Sequence, residues 1–78
     1  MLYANSPVPL YKQLYSQLRD AIEGGEFETG RRLPSERQLA AEYGVSRLTT
    51  RRALDLLQQN GYVRAYRGRG SFVAHSPH

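Results

Sequence analysis

With 78 residues, 11 of them Lys or Arg against 7 Asp or Glu, the chain carries a formal charge of +4 and suffices for one domain with a thin core. It holds no cysteine, which excludes disulfides and thiolate metal sites. The opening Met1 to Pro7 lacks the basic-then-apolar plan of a secretory signal and no apolar run has membrane-spanning length, so a cytoplasmic location is expected.

Residues 1–8 read as a loose N-terminal arm, held extended by Pro7 and Pro9. A helix can start at Pro9, since proline is tolerated in a first turn. From there Leu10, Leu14, Leu18 and Ile22, joined by Tyr11, Tyr15 and Ala21, recur every three or four residues until Gly24-Gly25 stops the helix. The stripe is a packing face; Tyr11 and Tyr15 are candidates for contact with a phosphate or a second subunit. Charge divides unevenly beyond this helix. Residues 1–30 sum to −2, whereas residues 31–78 hold nine arginines against Glu36, Glu42 and Asp55, a balance of +6. Arginine suits bidentate contacts with phosphates and bases, although a GC-rich coding bias gives the same preference.

Thr29-Gly30 has turn character, and Arg31-Arg32-Leu33 can form a short strand before Pro34. Ser35 and Gln38 then have the spacing of a capping box, which starts a short helix at Glu36 with Leu39, Ala40 and Tyr43 inward and Arg37 off that face. Gly44 ends it. Ser46 caps a further helix that runs to Asn60 and stops at Gly61. On this last helix Thr50, Ala53, Leu54, Leu56 and Leu57 share one face; Arg47, Leu48, Arg51, Arg52, Asp55 and Gln58 share the other. Two helices joined by so short a loop make a helix-turn-helix bent at Gly44.

Arg47 and Arg51 stand one turn apart in the first turns of the second helix, with Thr49 beside them. A helix in the major groove reads bases with its N-terminal residues, and an arginine fork matches the two acceptors of guanine. Cations at the positive end of a helix dipole are unfavourable by up to about 1 kcal/mol, so stability does not account for them. Arg37 can converge on the same DNA face, and free N–H groups at Ser35 to Arg37 would suit a phosphate. The plainer readings are a solvated cationic face and, for Arg37, an ion pair with a neighbouring carboxylate.

After Gly61 the period changes to two: Tyr62 to Tyr66 and Ser71 to Ala74 alternate as strands around Arg67-Gly68-Arg69-Gly70. A hairpin with a basic glycine-rich tip behind a recognition helix is a wing. Arg69 is placed to enter a minor groove and Arg67 to meet a phosphate, the alternative being a solvated turn. The expected fold is mainly α with a small β-hairpin, a winged helix-turn-helix of three helices and a two- or three-stranded sheet over residues 9–75, with 76–78 opening a linker or tail.

The runs Leu33 to Ala40, Gly44 to Leu54 and Gly68 to Val73 resemble the N-terminal DNA-binding domain of GntR-type bacterial transcription regulators. The opening Pro9 to Leu14 and the Gly-Arg-Gly-Ser-Phe-Val ending lean toward the HutC-like branch. This resemblance implies a homodimeric regulator, usually a repressor, that binds an inverted-repeat double-stranded operator and answers to a small metabolite held by a separate C-terminal domain. It implies no cofactor in this part. Carried over by position, it puts Arg37, Arg47, Thr49 and Arg51 against DNA from the helices and Arg69 and Gly70 from the wing. Phosphate and wing contacts are expected from Tyr11, Lys12, Ser35, Ser46, Thr50, Arg52, Arg67, Gly68 and Gly70. Two positions depart from the pattern: Thr29 stands before Gly30 where proline is usual, and Thr50 where valine is common. The Thr50 hydroxyl then needs a partner, expected to be the carbonyl a turn back. Leu48 has two readings, contact with a thymine methyl or packing against the wing or preceding helix.

Other function classes find less support. No carboxylate pair is placed to share a catalytic cleft, His75 and His78 lie in a terminal tail, and Gly-Arg-Gly-Ser lacks the lysine and spacing of a P-loop. A winged helix serving protein or RNA contact is the remaining alternative, and the basic face disfavours it.

Overall fold

The computed structural model describes residues 2–74, so His75, His78 and the expected linker lie outside the described residues. Three helices, α1 (Leu10–Glu23), α2 (Glu36–Tyr43) and α3 (Arg47–Gln59), precede the antiparallel strands β1 (Val63–Tyr66) and β2 (Gly70–Val73). The strands pair in the register Val63 to Val73, Arg64 to Phe72, Ala65 to Ser71 and Tyr66 to Gly70. Arg31 to Leu33 runs along the other edge of β2: the Leu33 N–H donates to Ser71 O at 2.8 Å and the Val73 N–H to Arg31 O at 2.8 Å, around a single bridge between Arg32 and Phe72. The sheet is thus two full strands with a third short edge.

Helix ends follow their local chemistry. Ser35 Oγ accepts from the Gln38 N–H while the Gln38 side chain accepts from the Ser35 N–H, a complete capping box. Ser46 Oγ accepts from the Thr49 N–H at 3.0 Å. Gly44 adopts φ +68, the left-handed geometry that lets the chain leave α2 and enter α3 across three residues.

Leu14 and Leu18 of α1, Leu39 of α2, Ala53 and Leu57 of α3, Leu33, Val63 and Val73 form one buried cluster. Each fully buried leucine contributes about 1.5–3 kcal/mol relative to exposure, so these few residues hold α3 and the wing at a fixed angle. The inner face of α3 divides: Thr50, Ala53 and Leu57 are buried, whereas Leu54 and Leu56 are half-buried. Thr50 is wholly enclosed, its hydroxyl donating to Ser46 O at 3.1 Å, which is the partner expected for it. A side chain with no exposed surface cannot meet DNA, so its expected place in the interface is corrected to a place in the core.

The arm is not loose. The Gln13 carboxamide accepts from the Tyr3 N–H at 2.7 Å and donates to Tyr3 O at 2.9 Å and Val8 O at 2.7 Å, while Leu2 packs against the core. A helix side chain here satisfies backbone groups that an extended segment leaves open.

Candidate nucleic-acid interface

The first turns of α2 and α3 meet at one corner, and Glu36 occupies it. Its carboxylate takes two hydrogen bonds from Arg51, Nε to Oε2 at 3.2 Å and Nη2 to Oε1 at 3.1 Å, and an ion pair from Arg47, whose Nε lies 3.4 Å from Oε1. The acid is 22% exposed, whereas Arg47 and Arg51 remain 62% and 58% exposed. Arg51 chiefly, and Arg47 after it, hold the Glu36 carboxyl below its ordinary range against the opposing effect of burial. The pair of arginines expected to read bases is therefore already gathered on the protein, heads together and facing solvent.

The neighbouring positions divide by what their polar atoms already do. Arg37 is exposed and makes no ion pair among the described residues, so the plainer reading of it as a salt-bridged surface cation does not hold. Ser35 is half-buried and has committed its N–H to Gln38, which leaves the N–H groups of Glu36 and Arg37, rather than all three, free for an anion. Ser46 donates its hydroxyl proton to Thr49 Oγ1 at 2.9 Å; that proton is not available to a phosphate, while the Thr49 hydroxyl proton still is. Leu48 is 56% exposed, and it is not among the hydrophobic side chains packed against the core cluster.

Tyr11 of α1 and Arg52 of α3, distant in sequence, line one shallow depression with Asp55, Leu56 and Gln59. Lys12, the next residue of α1, is exposed and does not line this depression. On the wing, the Arg69 N–H closes a tight turn onto Tyr66 O at 2.9 Å, Gly68 takes φ +78 and Gly70 φ +99. Arg67 and Arg69 are exposed at the tip, without carboxylate partners among the described residues.

The profile of the bacterial regulatory proteins of the gntR family matches residues 10–73. The chain belongs to the GntR family. Among relatives of this GntR-family domain, the HTH-type transcriptional repressor NagR of Bacillus subtilis is 44% identical over 69 residues, covering 88% of this chain and 28% of NagR. The regulator TreR of the same organism is 48% identical over 60 residues, covering 77% of this chain and 25% of TreR. The chain thus spans about a quarter of the length of these curated relatives. Among solved structures, YtrA from Sulfolobus acidocaldarius, a GntR-family transcription factor, superposes with a TM-score of 0.88 at 33% identity over 97% of this chain and 80% of that one. The DNA-binding domain of AraR, solved in complex with operator ORX1, gives 0.87 at 29% identity over 95% of each chain.

Glu36 was invisible to sequence reasoning as a site residue, because an acid in the first turn of a helix is ordinary. Its signal was its position: the acid falls between two predicted cations only when the bend at Gly44 folds α3 back toward the start of α2. Arg32 and Arg64 were also passed over. Both are exposed, and both flank Phe72 in one row across the sheet.

Proposed function

We propose that this GntR-family domain reads an operator in double-stranded DNA, α3 lying in the major groove and the wing tip in the adjacent minor groove. The observation that carries the reading is the corner of α2 and α3, where Arg47 and Arg51 are held together with their heads exposed and Arg37 has no ion-pair partner among the described residues. Arg37, Arg47, Thr49 and Arg51 discriminate bases; Arg69 enters the minor groove. Tyr11, Lys12, Arg52, Arg67 and the N–H groups at the start of α2 position the backbone, with Gly68 and Gly70 allowing close approach. Support for DNA as partner comes from the AraR domain in complex with operator DNA, which shares this fold and 29% of its residues.

The whole protein, on this reading, is a bacterial repressor of the HutC-like branch, a cytoplasmic homodimer on an inverted repeat, controlled by a small metabolite bound elsewhere in the chain. NagR and the Escherichia coli repressor MngR, 40% identical over 65 residues, support repression rather than activation. The Pro9 to Leu14 and Gly68 to Val73 motifs support the branch.

The test is selection from a random duplex pool followed by sequencing, at two salt concentrations, because non-specific affinity falls steeply with salt. Enrichment of a half-site with guanines, retained at the higher salt, is expected. Recovery of no motif, with all binding lost at the higher salt, would overturn base reading and favour a general polyanion or another partner.

A further inference from the structure

Leu48 is an exposed apolar residue of α3 that the cationic interface does not absorb. The large hydrophobic side chains exposed among the described residues are Tyr3, Val8, Leu48 and Tyr66. Tyr3 and Val8 belong to the arm, and the Tyr66 ring stands edge-on to Phe72 with centroids 5.6 Å apart. Leu48 lies in the first turn of α3, at the end of a recognition helix where base contacts concentrate.

The Glu36 clamp bears on its exposure. Arg47 precedes Leu48, and Arg51 and Arg52 follow it by three and four positions, the spacing at which long aliphatic stems can fold over a helix neighbour. Arg47 and Arg51 instead direct their guanidiniums to the carboxylate on α2. The isobutyl group stays more than half exposed in the turn that carries Arg47.

We propose that Leu48 is a specificity-determining residue that recognises the C5-methyl group of a thymine beside the base pairs read by Arg47 and Arg51. This rests on the operator-reading function above. In the major groove the thymine methyl is the one alkyl group among base edges that otherwise present mainly hydrogen-bond donors and acceptors. Leucine gains surface burial against that methyl and offers nothing to the N4 amine of a cytosine, which would lose its water without a replacement acceptor. The two guanine-directed arginines and the leucine together specify a mixed half-site in which a thymine adjoins guanine.

The experiment uses the half-site recovered from the random pool and replaces each thymine in turn with deoxyuridine, which removes only the methyl. Wild type and L48A are titrated against every duplex, with thermal unfolding of both to show equal folding. For the wild type, one position is expected to lose about threefold to fivefold in affinity on methyl removal, as burial of a single methyl predicts. L48A should be weaker on the thymine duplex and indifferent to deoxyuridine at that position. If no position responds, or if L48A responds as the wild type does, the methyl contact is wrong while the operator reading stands. If the pool yields no motif at all, the operator reading falls and takes this assignment with it.

Discussion

Glu36 grips Arg51 along the side edge of the guanidinium, with Nε and Nη2 donating to its two oxygens at 3.2 and 3.1 Å. A guanidinium has five N–H groups, and this arrangement uses two of them. The end edge, Nη1 with Nη2, remains open in the geometry that fits guanine O6 and N7. An exposed pair of this kind contributes about 0–1 kcal/mol to folding, so its consequence lies in where it holds the arginine rather than in stability. Ordering the side chain before it meets DNA lowers the entropy lost on binding.

Replacing Glu36 with Gln is therefore expected to act on discrimination. Removing a negative charge near phosphates should raise affinity for scrambled duplex about twofold to threefold, while loss of the clamp lowers affinity for the selected half-site. The ratio of the two should fall on the order of tenfold, measured by titration of both duplexes at one salt concentration. An unchanged ratio would mean that the arginines find their bases without the acid.

The same carboxylate links folding to pH. Its folded-state pKa lies below the ordinary 4.5 because Arg51 and Arg47 favour the charged form, so its contribution is present above 4.5 and is lost as pH falls through the folded value. The stability difference between wild type and E36Q should be constant near neutrality and shrink below about pH 4.5. Denaturant unfolding of both proteins between pH 3 and 7 reads it, and a constant difference throughout would show that Glu36 titrates normally.

The fold was legible because its punctuation is local: Ser35 with Gln38, Ser46, Gly44 and Gly61 mark helix ends within a few residues of sequence. Thr50 was half legible. Its inward direction and carbonyl partner follow from helical spacing, but that same enclosure removes it from the phosphate contacts among which it was expected. Glu36 and Gln13 were not legible as organisers, because their partners lie 15 and up to 10 residues away and depend on how α2 meets α3 and how the arm turns back. No periodicity encodes a polar side chain that reaches across a bend.

Thr50 gives a direct check on its reassignment to the core. Valine has the same branched shape, and Ser46 O keeps the Thr50 N–H as a donor at 3.1 Å when the hydroxyl is gone. T50V is expected to unfold within about 0.5 kcal/mol of wild type and to bind DNA equally well. T50A, which loses the buried methyl as well, should be less stable by about 1 kcal/mol. A tenfold change in affinity for T50V would return the hydroxyl to the DNA contacts.

The two wing glycines separate backbone strain from steric fit. Gly68 has φ +78 and open space where a Cβ would stand, whereas Gly70 has φ +99 and would place a Cβ 3.0 Å from Arg32 Nε. Alanine at either position meets the left-handed penalty of about 1–2 kcal/mol, or roughly 4–16 °C in the melting temperature of a domain this size. Only G70A also displaces the Arg32 side chain, which is exposed and flexible enough to move. Both variants should therefore lose similar stability, but only G70A should shift the Arg32 Nε–H resonance in an NMR spectrum. An unmoved Arg32 signal in G70A would mean that the guanidinium does not rest over Gly70 in solution, and that the row of Arg32, Phe72 and Arg64 across the sheet is more open than its backbone register implies.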